Sequence, residues 1–565
     1  METLRTRNLE AVLSSGSRKK VIVAGPGTGK TFTFGKVLER VDGEVLILSF
    51  LGNLVADLEK DLGDRATVRT FHRFCRGLLH NMDVPGITRD VDYFPTFGLI
   101  LDTDIHLIRD AVPEKAVERA FMYLDDSEGI ASAAISIGDY YNAVGHTDSV
   151  YRVHGVLAAH PEQVPPYGQL LVDEYQDFSL LETSIIDQLA EVSPTLIAGD
   201  DDQALYGFKH ASADYLRDLV GSGRYERFEL PFCTRCTEVL VDATHRVVER
   251  AQAAGLLTGR IEKQYICYLP EKQTASDKYP KILHARCTVE RNSAPYMGRY
   301  VAQAIGQIDQ SDIALSWEKG HPTVLVMGPT QFVRRVYKHL LDKGIPNLAF
   351  RSSATMEIDV LDGYRRLLKD ERSRLGWRLI LQAVQLPGWE DLVRHTLLEG
   401  TELADLLSED FRNLHLSIVN LLRQLIDGQE LADPDIDRLE AATGLPFPVL
   451  RKQLDLDPEE SPPEEDHDSP RIVITTLSGA KGLQAEHTFV VGFNGGHFSS
   501  DNAAPTEDEV CQLFVALTRA RQTCTLVSCG WFGTAQLSRS AFIGWLGDLV
   551  DTFTINAAYW QDNSG

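Results

Sequence analysis

The sequence predicts an α/β protein in which a parallel sheet with helices on both faces occurs twice, each copy interrupted by a mainly helical insertion. Three observations carry this. The β-branched run Val21-Ile-Val breaks into a glycine-rich loop that opens a helix. Short apolar strands then alternate with helical patterns through short connections. The same alternation starts again near Pro322-Thr-Val-Leu-Val-Met327.

The first strand is apolar throughout, as a strand buried on both faces must be. Ala24-Gly-Pro-Gly-Thr-Gly-Lys-Thr31 follows it. Gly25, Gly27 and Gly29 let the backbone curl so that several amides face one concave spot, with Pro26 and Thr28 between them, and the helix starting near Lys30 aims its positive end there. This is a phosphate loop. Lys30 is placed for β- and γ-phosphates and the Thr31 hydroxyl for Mg²⁺, so the expected ligand is a nucleotide with its metal.

The remaining elements follow in order. Asn8-Leu-Glu-Ala-Val12 belongs to an amphipathic lead-in, Glu44–Phe50 is a second strand with a helix through about Leu62, and Ala66–Cys75 is a third strand running into a helix. Residues 81–154 read as a helical insertion. The sheet resumes at Gln169-Leu-Leu-Val, and the residues just past it, Asp173 to Gln176, can reach the phosphate loop. Asp173 suits a metal shell and Glu174 is placed to take a proton from water. Thr195-Leu-Ile-Ala198 delivers Gly199-Asp-Asp-Asp-Gln-Ala-Leu-Tyr-Gly-Phe208, where Gln203 can sense a γ-phosphate and Tyr206 and Phe208 can stack on bases.

Cys233-x-x-Cys236 has no second cysteine or histidine pair at ligand spacing, so no zinc is expected. In the second half a helix carries Arg334 and Arg335, residues 386–454 read as a further insertion, and strands are expected at Arg471–Thr475, Thr488–Gly492 and Thr523–Val527. Val515–Arg521 lies on a helix, from which an arginine can reach a phosphate held by the first half.

Length and composition set bounds. The 565 residues suit three or four domains, and no apolar run reaches the ~18 residues of a spanning helix, so no membrane is expected. Eight thinly spread cysteines fit reduced thiols in a cytoplasmic protein. The net charge of −25 argues against nucleic acid only superficially, because a narrow basic groove can coexist with an acidic exterior. Part of the excess is local: residues 455–470 hold eight acidic residues and four prolines, the composition of a solvated linker.

Taken together, Gly25–Thr31, Thr70-Phe-His72, Asp173-Glu-Tyr-Gln-Asp177, Gly199–Phe208, Ala480-Lys-Gly-Leu483 and Val515–Ala520 resemble the UvrD/Rep/PcrA family of superfamily 1A DNA helicases. The resemblance implies two RecA-like P-loop motor domains, 1–80 with 155–265 and 266–385 with 466–565. Residues 81–154 and 386–465 would be their insertions, the second short for the family. It implies γ-phosphate contacts from Gln203, Arg235 and Arg519, and DNA-facing positions at Phe50, Thr70, His72, Tyr206, Phe208 and Arg334. Asn8 stands where the family has a glutamine that reads adenine, Thr234 where an aromatic stacks on it, and Phe32 where an arginine is common. Gln484 replaces a ribose-contacting glutamate and Ser478 a histidine on the DNA side. The expected activity is ATP-dependent translocation on single-stranded DNA and 3′-to-5′ unwinding, with relaxed nucleotide preference. One alternative is a DNA-sensing ATPase subunit of an anti-phage complex with a separate nuclease as partner. The other is a DNA-binding module that does not cycle.

Overall fold

The computed structural model describes residues 2–50, 52–288, 294–351, 358–456, 466–499 and 504–562. The chain divides into two compact units. One comprises Met1–Phe71, Gln163–Ser353 and Glu464–Gly565, the other His72–Glu162 and Ala354–Pro463.

The first unit is built on two sheets. In the six-stranded sheet the order is Thr67–Thr70, Val45–Ser49, Gln169–Val172, Thr195–Gly199, Lys19–Val23, Glu226–Glu229. All of these neighbours run parallel. Val45–Ser49 and Thr195–Gly199 are buried along their whole length, which is why the sequence shows apolar runs there and not alternation. In the seven-stranded sheet the order is Leu348–Arg351, Ile472–Thr475, Val324–Met327, Ala485–Val491, Ala520–Cys529, Ile282–Cys287, Val550–Ile555. It too is parallel throughout.

Two helices of this unit show how local sequence positions functional candidates. Glu507–Thr518 opens with a capping box between Thr506 and Glu509 and with three acidic residues in its first turn, matching the positive end of the helix. It ends with Arg519 at its C-cap, followed at once by Ala520–Cys529, so Ala520 and Arg521 are strand residues and not helical ones. Thr330–Asp342 buries Phe332, Val333, Val336 and Leu340 on one face, leaving Arg334 and Arg335 exposed on the other.

The second unit is mainly helical. Phe97–Ile108, Ala116–Met122, Ile130–Tyr141 and His146–Ala159 come from its first segment, beside a two-stranded ladder of Asp92–Tyr93 and Ala143–Val144. Val360–Lys369, Arg374–Ala383, Trp389–Glu399, Glu409–Ile426 and Asp433–Thr443 come from its second. Residues 358–385 are thus not part of the second sheet region, contrary to the boundary expected from sequence: Leu361, Tyr364, Trp377 and Ile380 share one core with Leu403, Val419 and Leu422. Their helical pattern continues that of the insertion, and no strand signal marks the change. Inside this unit Arg378 pairs with Asp104, both fully buried, and the Tyr141 hydroxyl donates to Asp104 Oδ2 at 2.6 Å. Residues 457–465 of the acidic run lie outside the described residues. Among the described residues no helix is long and apolar enough to cross a membrane.

Candidate functional site

The strand Lys19–Val23 ends between the carboxyl ends of Thr195–Gly199 and Glu226–Glu229, and the glycine-rich loop leaves from there. Gly29, at φ 95°, is the N-cap of the helix Lys30–Leu38, and Gly27 has φ 71°. Only glycine takes both angles without strain. A Cβ at Gly27 would also meet Arg235 Cβ at 2.5 Å. Thr234 holds that close approach, because its N–H and its Oγ1 both donate to the Gly27 carbonyl, at 2.9 and 3.0 Å.

Asp173 and Glu174 follow the buried strand Gln169–Val172. Glu174 sits at φ 54°, a left-handed backbone uncommon for a residue with a side chain. Lys30 Nζ donates to Glu174 Oε1 at 2.6 Å and lies 3.9 Å from Asp173 Oδ1. From there the contacts continue without a break. Gln176 Nε2 donates to Glu174 Oε2 (2.6 Å), the Asp200 N–H to Gln176 Oε1 (3.0 Å), and Gln203 Nε2 to Asp200 Oδ2 (2.8 Å). Arg519 Nη2 then donates to Gln203 Oε1 at 2.9 Å. A single polar relay therefore joins the glycine loop of the six-stranded sheet to a guanidinium carried by the seven-stranded one. Arg235, expected beside them, borders Gly27 and donates from Nη1 to the Thr518 carbonyl at 3.3 Å.

The electrostatics of these groups differ although all are buried. Burial pushes Asp173 up to about 6 against the pull of Lys30. Burial opposes ionisation of Glu174 as well, but the ammonium groups of Lys30 and Lys481 prevail and hold that carboxyl well below the usual carboxylate range. Burial, with Arg235 close by, lowers Arg519 to about 10. Asp173 Oδ1 is buried and makes no hydrogen bond among the described residues. That orphaned oxygen, the half-buried Thr31 and the curled loop suit a divalent cation bound with a polyphosphate.

Asp200, Asp201 and Asp202 also bring three carboxylates together. Their charge is already met from within the chain. Lys263 Nζ lies 2.6, 2.6 and 2.9 Å from the three in turn, Arg260 grips Asp202 through two 2.7 Å bonds, and Arg217 reaches Asp201. No motif surrounds Lys263, so nothing in the sequence singled it out.

A family model described as an AAA domain matches residues 8–209. The ATP-dependent DNA helicase UvrD1 of Mycobacterium tuberculosis (strain ATCC 25618 / H37Rv) is 23% identical over 656 residues, spanning 92% of this chain and 82% of that protein. DNA helicase II of Escherichia coli (strain K12) is 21% identical, spanning 93% and 84%. The ATP-dependent DNA helicase PcrA of Staphylococcus aureus (strain Mu50 / ATCC 700699) is 22% identical, spanning 92% and 82%. Over nine-tenths of its length the chain is thus similar to UvrD-like superfamily 1 helicases.

The two parallel sheets of this UvrD-like chain are its RecA-like pair. The positions expected to face DNA are distributed unevenly over them. Phe50 is half-buried, its ring centre 5.1 Å from that of Tyr206, with Lys209 Nζ 5.6 Å from both rings. Thr70 ends the strand Thr67–Thr70, Arg334 is exposed on its helix, and the side chain of Phe208 lies outside the described residues. His72, in the helical unit, has its ring 5.2 Å from that of His146. Tyr206 corrects the expectation of an open stacking platform. It is only 4% exposed, and its hydroxyl donates to the Ser478 carbonyl at 3.0 Å, so the ring serves as a strut between the two sheet regions. Sequence spacing could not distinguish these roles, since an aromatic beside a loop fits either.

Of the positions expected to face a base and its ribose, Gln484 accepts from Arg521 Nη1 at 3.1 Å, and Asn8 is half-buried on the helix Glu2–Ser14. Phe32 is 51% exposed. No motif marks Arg5 in the sequence, yet its guanidinium carbon lies 5.7 Å from the Phe32 ring centre and 5.2 Å from that of Tyr268. Two aromatic rings and a cation thus border the helix that follows the glycine loop.

Proposed function

We propose that this chain is an ATP-dependent DNA helicase that hydrolyses ATP between its two RecA-like regions and moves 3′ to 5′ along single-stranded DNA. The observation that carries the reading is the relay from Lys30 through Glu174, Gln176, Asp200 and Gln203 to Arg519. It supports one cooperative site fed by both sheets.

In this reading Lys30 neutralises β- and γ-phosphate charge, while Thr31 and Asp173 hold Mg²⁺. Bound Mg·ATP supplies the phosphoryl group whose transfer to water releases the energy. Glu174, held ionised by its lysine neighbours, is the proton acceptor for that water. Gln203, Arg235 and Arg519 contact the γ-phosphate side, and because Arg519 comes from the other sheet its contact couples hydrolysis to relative movement of the two regions. Phe50 and Phe208 stack on bases, and Thr70, His72, Arg334 and Ser478 meet the backbone of the strand. The named helicases spanning nine-tenths of the chain support DNA as the polymer acted on.

The test is ATP turnover with and without single-stranded DNA, followed by unwinding of duplexes with a 3′ or a 5′ tail. DNA-stimulated turnover and unwinding from the 3′ tail are expected. Turnover indifferent to DNA would overturn the motor reading, and unwinding confined to the 5′ tail would reverse the polarity.

A further inference from the structure

Three thiols surround the segment that carries Arg235. Cys233 and Cys236 flank it in Phe232-Cys-Thr-Arg-Cys236, and Cys267 lies opposite Cys233 in the parallel pairing of Phe232–Cys233 with Ile266–Cys267. All three are free and buried. Cys233 Sγ accepts from the Cys236 N–H at 3.4 Å and faces the Tyr265 hydroxyl at 3.1 Å, and the same hydroxyl lies 3.7 Å from Cys236 Sγ. Thr237 is the N-cap residue of the helix Glu238–Ala253, so Cys236 sits one residue before that cap, whereas Cys233 ends the short strand Phe232–Cys233. Burial works against ionisation, yet the donors from Cys236 and Tyr265 bring the Cys233 thiol down to about 6, whereas Cys236 is raised. Among the described residues the three thiols do not bring their sulfurs together, or with a histidine or carboxylate, into a set of three at metal-ligand spacing.

The pair is wired to the phosphate loop twice. Tyr265 Oη lies 2.9 Å from the Pro26 carbonyl, and a phenol has one proton to give, so Pro26 and the Cys233 thiolate compete for it. Gly27 leaves Arg235 no slack, since even a Cβ there would overlap it. A change in the 233–236 turn therefore reaches both the loop and the guanidinium.

We propose that Cys233 and Cys236 form a thiol–disulfide switch, closed by hydroperoxides, that withdraws Arg235 from the phosphate site. The Cys233 thiolate attacks a peroxide oxygen; an S–O bond forms, the O–O bond breaks, and the departing hydroxide takes a proton to become water. Cys236 sulfur then attacks the sulfenic sulfur, forming S–S and breaking S–O, and the Cys236 proton leaves with the second water. Two thiols lose two electrons and one hydrogen peroxide becomes two waters. The disulfide removes the thiolate that held the Cys236 N–H, leaves the phenol proton to Pro26, and draws the two sulfurs to bonding distance around Arg235.

The effect on turnover rests on the role given to Arg235 above; the bond itself does not. The full-length protein is treated with hydrogen peroxide, remaining thiols are alkylated, and disulfides are mapped by peptide mass spectrometry alongside DNA-stimulated ATP turnover. A Cys233–Cys236 disulfide is expected, with turnover falling at least ~10-fold and restored by dithiothreitol, since loss of an arginine contact to the transferred phosphate costs that much or more. Cys236→Ser should keep its basal turnover and resist peroxide, with Cys233→Ala as the second variant, while Cys267→Ser should respond like the natural chain. A Cys233–Cys267 bond, an oxidised protein with unchanged turnover, or equal peroxide inactivation of Cys236→Ser each overturns the switch. If the reduced protein turns over no ATP, the functional reading fails separately, and the mapped bond with equilibrium binding of a non-hydrolysable ATP analogue still decides the switch.

Discussion

Lys481 and Asp177 form an ion pair in the protein interior: Lys481 Nζ lies 2.8 Å from Asp177 Oδ1 and 2.6 Å from Oδ2, and also donates to the Gln203 carbonyl at 2.5 Å. Asp177 follows a strand of the six-stranded sheet and Lys481 a strand of the seven-stranded one, so the pair ties the two sheet regions together. Burial raises Asp177 to about 6 despite the lysine. Removing one partner leaves a buried charge uncompensated. Lys481→Met should therefore cost ~3–5 kcal/mol in denaturant unfolding, and adding Asp177→Asn should recover most of it. A single variant that loses under ~1 kcal/mol would place the pair in the class of exposed salt bridges.

Glu174 and Lys30 should separate binding from chemistry. Glu174→Gln keeps the side-chain shape and an acceptor for Lys30 but cannot take a proton, so turnover should fall by ~10²–10⁴ with nucleotide affinity retained. Lys30→Ala should weaken both. Calorimetric binding measured beside steady-state turnover checks the split; equal losses in the two variants would count against it.

His284 should make the seven-stranded sheet acid-sensitive. It is buried, its Nε2 2.9 Å from Ser528 Oγ and its Nδ1 3.1 Å from Thr552 Oγ1. Burial, with Arg539 and Arg286 nearby, lowers its pKa from 6.5 to about 4. The folded value lies below the unfolded one, so the unfolded chain binds the proton more tightly. This contribution is present above about pH 6.5 and is lost as pH falls towards 4, up to ~3 kcal/mol in all. His284→Gln should flatten the fall of Tm between about pH 7 and pH 4.5, and a slope identical to that of the natural chain would remove His284 as its source.

Phe32, Arg5 and Tyr268 provide faces and a cation for stacking but no set of donors and acceptors matched to one base edge. Stacking of this kind tolerates any base. GTP should accordingly be turned over within ~10-fold of ATP in kcat/KM, and Phe32→Ala should raise KM for both with less effect on kcat. GTP turnover far below that of ATP would show that an edge is being read.

Much of the candidate site could be read from residue order because its parts are short and local. A strand end followed by glycines at fixed offsets has few conformations, and Gly27 and Gly29 adopt the left-handed angles that spacing implies. The carboxylates after Gln169–Val172 and the glutamine after Thr195–Gly199 fall at the same sheet edge for the same reason. Tyr206 is less legible, since a half-apolar residue beside a loop can be buried or open, and only its bond to Ser478 decides the matter. The segment 358–385 is less legible still, because a helix carries no mark of which core receives its apolar face.

By itself, then, the sequence determined the two parallel sheets, the phosphate loop and the order in which charged groups appear at the strand ends, all consequences of backbone preferences acting over a few residues. Tertiary structure alone decided which charges meet: Lys263 among three aspartates, Lys481 against Asp177, Arg519 on Gln203. The reason is physical. A buried charge must find its partner wherever packing brings one, and here the partner lies from tens to hundreds of residues away along the chain.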